Sequence, residues 1–129
     1  MSDKVVKNWL DLAKYDFETA EVMLERGRYL YVAFMCQQAI EKLLKAIYVK
    51  ETGQTPPYTH NLMRLADKLS LTEQIDEVQL SVLETLNSYY IECRYTEAFD
   101  ELSSMLDLDK SQELFDMTKE IFKWFKSKV

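Results

Sequence analysis

The sequence predicts an all-α protein: an antiparallel up-and-down four-helix bundle with one short additional helix. Two observations lead to this fold class. Only two Gly and two Pro occur in 129 residues, so the chain has few turns and almost no helix breakers. Apolar residues recur with the helical period, whereas no window alternates like a strand over several residues. The length fits one domain, and residues 1–129 are predicted to form a single helical domain.

The first two predicted helices are long. The first has Ser2 as a plausible N-cap and is followed by Gly27, where a left-handed residue is wanted after the last turn. Its apolar face consists of Val6, Trp9, Leu10, Ala13, Phe17, Ala20 and Leu24. The second helix runs from about residue 29 to residue 52 and ends at Gly53. Its apolar stripe consists of Ala33, Cys36, Ile40, Leu43, Leu44 and Ile47.

Residues 54–58 contain both prolines and are predicted to form a loop, because proline disfavours the helical conformation for the residue before it. A short helix follows over about residues 61–69, and either Thr59 or Asn61 could cap it. This segment is the additional helix of the predicted bundle.

The rest of the chain is predicted to supply two further long helices. Residues 70–73 have the spacing of a capping box, which predicts a helix start nearby and an inward face from residue 75 to about residue 93. Residues 95–108 have weak periodicity and are predicted to be loop with a helical turn. Asp109, with a glutamine three residues later, predicts the start of the final helix.

The charge balance limits the kinds of partner. Sixteen basic and twenty-two acidic residues give a net charge of −6, so no general nucleic-acid binding is expected and any phosphate binding must be local. Cys36 and Cys93 lack metal-ligand spacing and are predicted to be buried free thiols in a reducing compartment. No segment reaches membrane-spanning length, and the expected location is cytoplasmic.

Three polar residues lie within or beside apolar stripes. Gln37 and Glu41 are one turn apart on the second helix, and Asp16 falls inside the apolar arc of the first. Buried polar groups need partners, and Arg94 could provide the counter-charge. Two interpretations remain open: a polar network that fixes helix register, or a cleft that orients a ligand or partner.

Four further polar residues could contact a ligand or a partner. Gln38, Lys42 and Lys45 are predicted on the outer face of the second helix, where they either meet a phosphate or are simply solvated. His60, the only histidine, follows the proline loop and is either a capping or packing residue or a general base. No residue at ligand spacing around it supports a metal site, and no cofactor is indicated.

Apolar side chains also fall off the stripe of the second helix. They are Tyr31, Phe34, Met35 and Val49. They predict either an association surface, for which a symmetric homodimer is the commonest outcome, or burial under the short third helix.

Together these blocks resemble the HEPN domain family. The blocks are Trp9…Ala13…Asp16…Ala20, the run Gln37-Gln38-Ala39-Ile40-Glu41-Lys42-Leu43-Leu44-Lys45, Thr59-His60-Asn61-Leu62, and Arg94-Tyr95. The resemblance implies an all-α bundle that usually dimerises. Prokaryotic members of that family are often encoded beside a minimal nucleotidyltransferase and act as its partner or substrate-binding subunit, and the resemblance implies such a role here. Many such pairs are toxin–antitoxin systems in which the HEPN protein is a metal-independent ribonuclease.

The ribonuclease branch of that family carries Arg, four to six other residues, and then His, and this chain lacks the motif. The positions where a His would follow Arg94 hold Phe99, Asp100 and Glu101. The positions where an Arg would precede His60 hold Gly53, Gln54 and Thr55. The resemblance is therefore to the branch without the motif, and the leading hypothesis is an accessory protein that is not itself catalytic.

In that hypothesis a nucleotide or a nucleotidyltransferase partner meets a cleft formed by Gln38, Lys42, Lys45, His60 and Arg94. Two alternatives remain. One is a metal-independent ribonuclease toxin that uses His60 and Arg94 in a non-standard arrangement. The other is a dimeric scaffold in which the polar residues only fix helix register.

Overall fold

The computed structural model describes residues 3–92, 95, 97 and 99–129. The described residues form six α-helices and one 3₁₀ helix and contain no β-strand, which confirms the predicted all-α fold class. The elements are α1 (Asp3–Glu25), α2 (Tyr29–Thr52), α3 (Leu62–Asp67), the 3₁₀ helix η1 (Thr72–Gln74), α4 (Glu77–Glu92), α5 (Phe99–Met105) and α6 (Leu108–Lys126). The four long helices are α1, α2, α4 and α6, and no described helix is long and apolar enough to cross a bilayer.

Glycines end the first two helices as predicted. Gly27 has φ +73° and Gly53 has φ +69°, a left-handed conformation that side chains with a Cβ rarely adopt. Gly27 lies in the short turn between α1 and α2, so the two helices run antiparallel and pack along their length. The predicted cap at Ser2 lies outside the described residues.

Three helix starts show how side chains replace missing backbone partners. Asn61, one of the two predicted alternatives, caps α3 by accepting hydrogen bonds from two backbone N–H groups of its first turn. The segment predicted as a capping box, residues 70–73, overlaps the start of the 3₁₀ helix η1 (Thr72–Gln74). The box of α4 is formed instead by Asp76 and Gln79, whose side chains accept from each other's backbone N–H. The cap of α6 is Asp107, two residues before the predicted start.

The segment predicted as loop with a helical turn contains a second short helix, α5. Leu102 is buried within it, and Leu106 is buried immediately after it. Phe99 and Met105 of the same segment are apolar but more than half exposed, so its apolar residues do not all mark the buried face. The bundle therefore has two short helices rather than the one that the sequence predicted.

Helix α2 is the centre of the molecule, because it packs against all five other helices. The sequence predicted an outer face for Lys45 and Val49, and this was wrong: both are buried. Met35 packs partly buried against the core, and Phe34 stacks on Tyr90, so neither belongs to an open apolar surface. Of the four residues predicted as an association surface, only Tyr31 is exposed.

Cys36 of α2 is a free, buried thiol, as predicted, whereas Cys93 lies outside the described residues. Burial raises the pKa of Cys36 to about 12, and a hydrogen bond with Thr118 opposes this shift. An unfolded cysteine has a pKa of about 8.5. The folded chain therefore holds this proton more tightly, so its contribution to stability is present below about pH 8.5 and is lost as the pH rises toward 12.

The same burial predicts an unreactive thiol, since the thiolate is the nucleophile. At about pH 8 we expect iodoacetamide to leave Cys36 unmodified in the folded protein and to modify it after unfolding in urea. Peptide mass spectrometry would report the modified fraction at this position. Equal labelling rates in the folded and unfolded protein would contradict the prediction.

Candidate functional site

Three polar side chains lie one helical turn apart along the buried part of α2. They are Gln37, Glu41 and Lys45. The Nζ of Lys45 lies 3.0 Å from Oε2 of Glu41, and Nε2 of Gln37 donates to Oε1 of the same carboxylate at 3.2 Å. Lys45 Nζ also lies 5.5 Å from the ring centroid of Trp9 on α1. Each polar group thus has a partner, as buried groups require.

His60 is attached to this network at two points. Its Nδ1 lies 3.0 Å and 3.2 Å from the two carboxylate oxygens of Glu41. Its backbone carbonyl accepts a hydrogen bond of 2.8 Å from Nε2 of Gln37. The loop before α3 is therefore held against the centre of α2 by Gln37 and Glu41, two of the three polar residues that the sequence singled out.

The geometry determines which nitrogen of His60 is left for other partners. A carboxylate only accepts hydrogen bonds, so Nδ1 must carry the proton that is shared with Glu41. The second nitrogen, Nε2, then accepts a hydrogen bond when the ring is neutral and donates one when it is protonated. The side chain of His60 is 44% exposed, whereas that of Glu41 is 4% exposed. The result is a positioned imidazole that is open to solvent.

Aromatic rings flank this imidazole. The ring centroid of Tyr90 lies 5.4 Å from that of His60, and the ring of Tyr58 meets the imidazole at 6.0 Å in an edge-on orientation. A cavity of about 150 Å³ opens beside them, lined by His60, Asn61, Asn87, Tyr90 and Ile91. Asn87 fixes the wall of this cavity by accepting from the N–H of Leu62 and donating to Asn61.

Three larger grooves lie elsewhere among the described residues. One of about 370 Å³ lies between α4 and α6, and one of about 300 Å³ lies beside the turn between α1 and α2. The third, of about 280 Å³, is lined by residues from the start of α1 and the end of α2 and by Val129. None of the three is lined by a histidine or by any residue of the Glu41 network. We therefore place the candidate site at His60, where an exposed titratable group, a buried carboxylate and a cavity coincide.

The structure brings only part of the predicted polar cluster together. Asp16 forms an ion pair with Lys42, which links α1 to α2, and it does not join the hydrogen bonds of Gln37 and Glu41. Lys45 is paired with Glu41. The outer-face prediction required both lysines to be free cations for a phosphate, and in the structure each is instead paired with a carboxylate. The reason is that α1 covers the face of α2 that the sequence placed in solvent.

Gln38 donates to Oε1 of Gln37 at 2.8 Å and so belongs to the network behind the imidazole. Arg94 lies outside the described residues, so its predicted role at this site stays a prediction. Among the described residues, no three His, Cys, Asp or Glu side chains are grouped as metal ligands. Sequence reasoning missed Tyr58 and Asn87, although Tyr58 stands two residues before the only histidine and directly after two prolines.

Comparisons with known proteins agree with this fold. The family model described as HEPN domain matches residues 6–128. The crystal structure of TT1696 from Thermus thermophilus is similar, with a TM-score of 0.80 and 25% sequence identity. That likeness covers 96% of this chain and 98% of the other. No curated protein matches the chain in a sequence search.

Proposed function

Because this chain belongs to the HEPN domain family, we propose that it is a nucleotide-associated accessory protein whose ligand binds against His60. The family supports a nucleotide-related or ribonuclease-like role. In our proposal the chain acts as a homodimer and serves as the partner or substrate-binding subunit of a minimal nucleotidyltransferase, in a pair of the toxin–antitoxin type.

The observation that carries the proposal is the positioned imidazole of His60. Glu41 holds one of its nitrogens and leaves Nε2 beside a cavity, where it can bond to a phosphate or sugar oxygen. The lysines nearest to Glu41 and Asp16 are already paired, and the net charge is −6. This balance favours a small ligand such as a nucleotide over a long nucleic acid, whose affinity depends on many phosphate contacts.

Nucleotide binding is tested by calorimetry with ribonucleoside mono- and triphosphates. We expect His60→Ala to weaken binding by about tenfold or more, because a hydrogen bond to a charged group contributes about 1.5–3 kcal/mol. Lys119→Ala is the matched control, since it removes an exposed charge on α6 outside the site. No binding by the unaltered protein, or equal binding by His60→Ala, would contradict this part of the proposal.

The partner is tested separately, by co-purification from the native host followed by mass analysis of bound proteins and small molecules. Recovery of a minimal nucleotidyltransferase in stoichiometric amount supports the proposal. Its absence from a stable preparation counts against the partnership without affecting the nucleotide measurement.

A second candidate function is a metal-independent ribonuclease that uses His60 and Arg94. It is favoured by the Glu41–His60 contact, because a carboxylate that orients an imidazole is the arrangement used in general acid–base catalysis. This function predicts RNA cleavage in the presence of EDTA that is lost in both His60→Ala and Arg94→Ala. Intact RNA after incubation with the unaltered protein would exclude it and leave the binding role.

A further inference from the structure

Tyr58 is the most exposed large side chain beside the candidate site. It is 97% exposed, although a tyrosine ring usually packs against the protein surface on at least one side. Two prolines precede it, and their fixed φ angles stiffen the backbone that carries the ring. Immediately after it, the N–H of Thr59 donates to the carbonyl of Pro57 at 3.0 Å. The loop thus holds the solvent-exposed ring of Tyr58 on a restrained backbone.

This ring is the outermost of a continuous row. Phe34 stacks on Tyr90 with a centroid distance of 5.4 Å, Tyr90 lies 5.4 Å from His60, and His60 lies 6.0 Å from Tyr58. Phe34 and Tyr90 are at least half-buried, and Glu41 holds the ring of His60. The protein core therefore fixes the position of the three rings on which Tyr58 borders. The two rings are T-shaped, with an interplanar angle of 62°, and because Tyr58 is 97% exposed, almost none of its ring surface is covered.

The chemistry of this surface indicates what it can bind. Lys45 of the network is ion-paired with Glu41, and Lys42 is ion-paired with Asp16, so these two lysines offer little point-charge recognition of a phosphate. Flat aromatic faces instead bind the π-face of a base, and this form of recognition tolerates any base because every base has such a face. We propose that Tyr58 is the stacking platform for an unpaired nucleobase, with His60 beside it for the sugar or phosphate. This inference rests on the proposed function, because it concerns the same site.

The test compares the four 5′-ribonucleoside monophosphates, their nucleosides and ribose 5-phosphate by calorimetry. Stacking predicts that ribose 5-phosphate, which lacks the base, binds much more weakly than either the nucleotide or its nucleoside. Tyr58→Ala is expected to weaken nucleotide binding by about tenfold, within the range measured for one base–aromatic stack. Tyr58→Phe keeps the ring and is expected to bind as the unaltered protein does.

Tyr15→Ala is the matched control, because this tyrosine on α1 is 69% exposed and belongs to neither the row nor the cavity. Its binding is expected to stay unchanged, and circular dichroism should show both alanine variants folded. Nucleotide binding that Tyr58→Ala leaves unchanged, or equal affinity for ribose 5-phosphate, overturns the stacking proposal and leaves the proposed function intact. Failure of the unaltered protein to bind any nucleotide overturns both.

Discussion

Glu41→Ala is expected to lower the free energy of unfolding by about 3–5 kcal/mol, the usual effect of removing one partner from a buried ion pair. Lys45 would lose its carboxylate partner at a position that is 8% exposed, with only the ring of Trp9 still beside it. Gln37 and His60 would each lose an acceptor as well. Urea unfolding followed by circular dichroism measures the change.

The matched control is Asp11→Ala on α1. Asp11 also accepts from a lysine four residues away, at 2.6 Å from Lys7, but both side chains of that pair are exposed. The lysine hydrogen bond lowers the pKa of Asp11, yet solvent screens the pair, so little change in stability is expected. Equal losses in the free energy of unfolding for the two variants would contradict the prediction that burial makes the Glu41 pair more important to stability than the exposed Asp11 pair.

A double substitution separates the scaffold interpretation from the functional one. Replacing both Glu41 and Lys45 by apolar residues, as Glu41→Leu with Lys45→Met, removes the pair without leaving a charge unpaired, so stability should be restored or raised. If the pair only fixes helix register, nucleotide binding also survives. If it positions His60, binding falls although the protein remains stable, and the imidazole nitrogen signals of this only histidine shift in NMR spectra.

The helices could be predicted because their signals are local. Gly27 and Gly53 mark helix ends because glycine readily adopts the left-handed conformation found there. The helical period of apolar residues predicts a helix whether that helix lies at the surface or in the core. Burial of the second helix could not be predicted in the same way. An apolar stripe on one face is typical of a surface helix. The residues near Lys45 and Val49 carry no local signal that other helices cover the remaining faces of α2.

The candidate site was predictable in part for a similar reason. Gln37 and Glu41 are polar residues in an apolar context, which is a local anomaly that a sequence can show. The contact of Glu41 with His60 joins residues 19 positions apart across the proline loop, and its geometry depends on how α3 packs. Tyr58 is an ordinary loop residue by sequence, and only its place beside the imidazole distinguishes it.

Leu62→Ala is expected to destabilise the protein by about 2–5 kcal/mol, because truncating a fully buried leucine loses apolar contacts and leaves a cavity. Leu62 begins α3 only two residues after His60, so the same side chain anchors the loop that carries the imidazole. Its backbone N–H bond to Asn87 does not involve the side chain and should survive. Weaker nucleotide binding is therefore expected alongside the lower stability.

Leu108→Ala provides the comparison, since Leu108 also begins a helix but is exposed. A surface substitution of this kind usually changes the free energy of unfolding by less than about 0.5 kcal/mol. Urea unfolding of the two variants, with calorimetric titration of a nucleotide under folding conditions, measures both effects. If Leu62→Ala loses stability but binds as tightly as Leu108→Ala, then Glu41 and Gln37 hold His60 without help from α3. If Leu62→Ala loses both stability and nucleotide affinity, the packing of α3 helps to position the imidazole of His60.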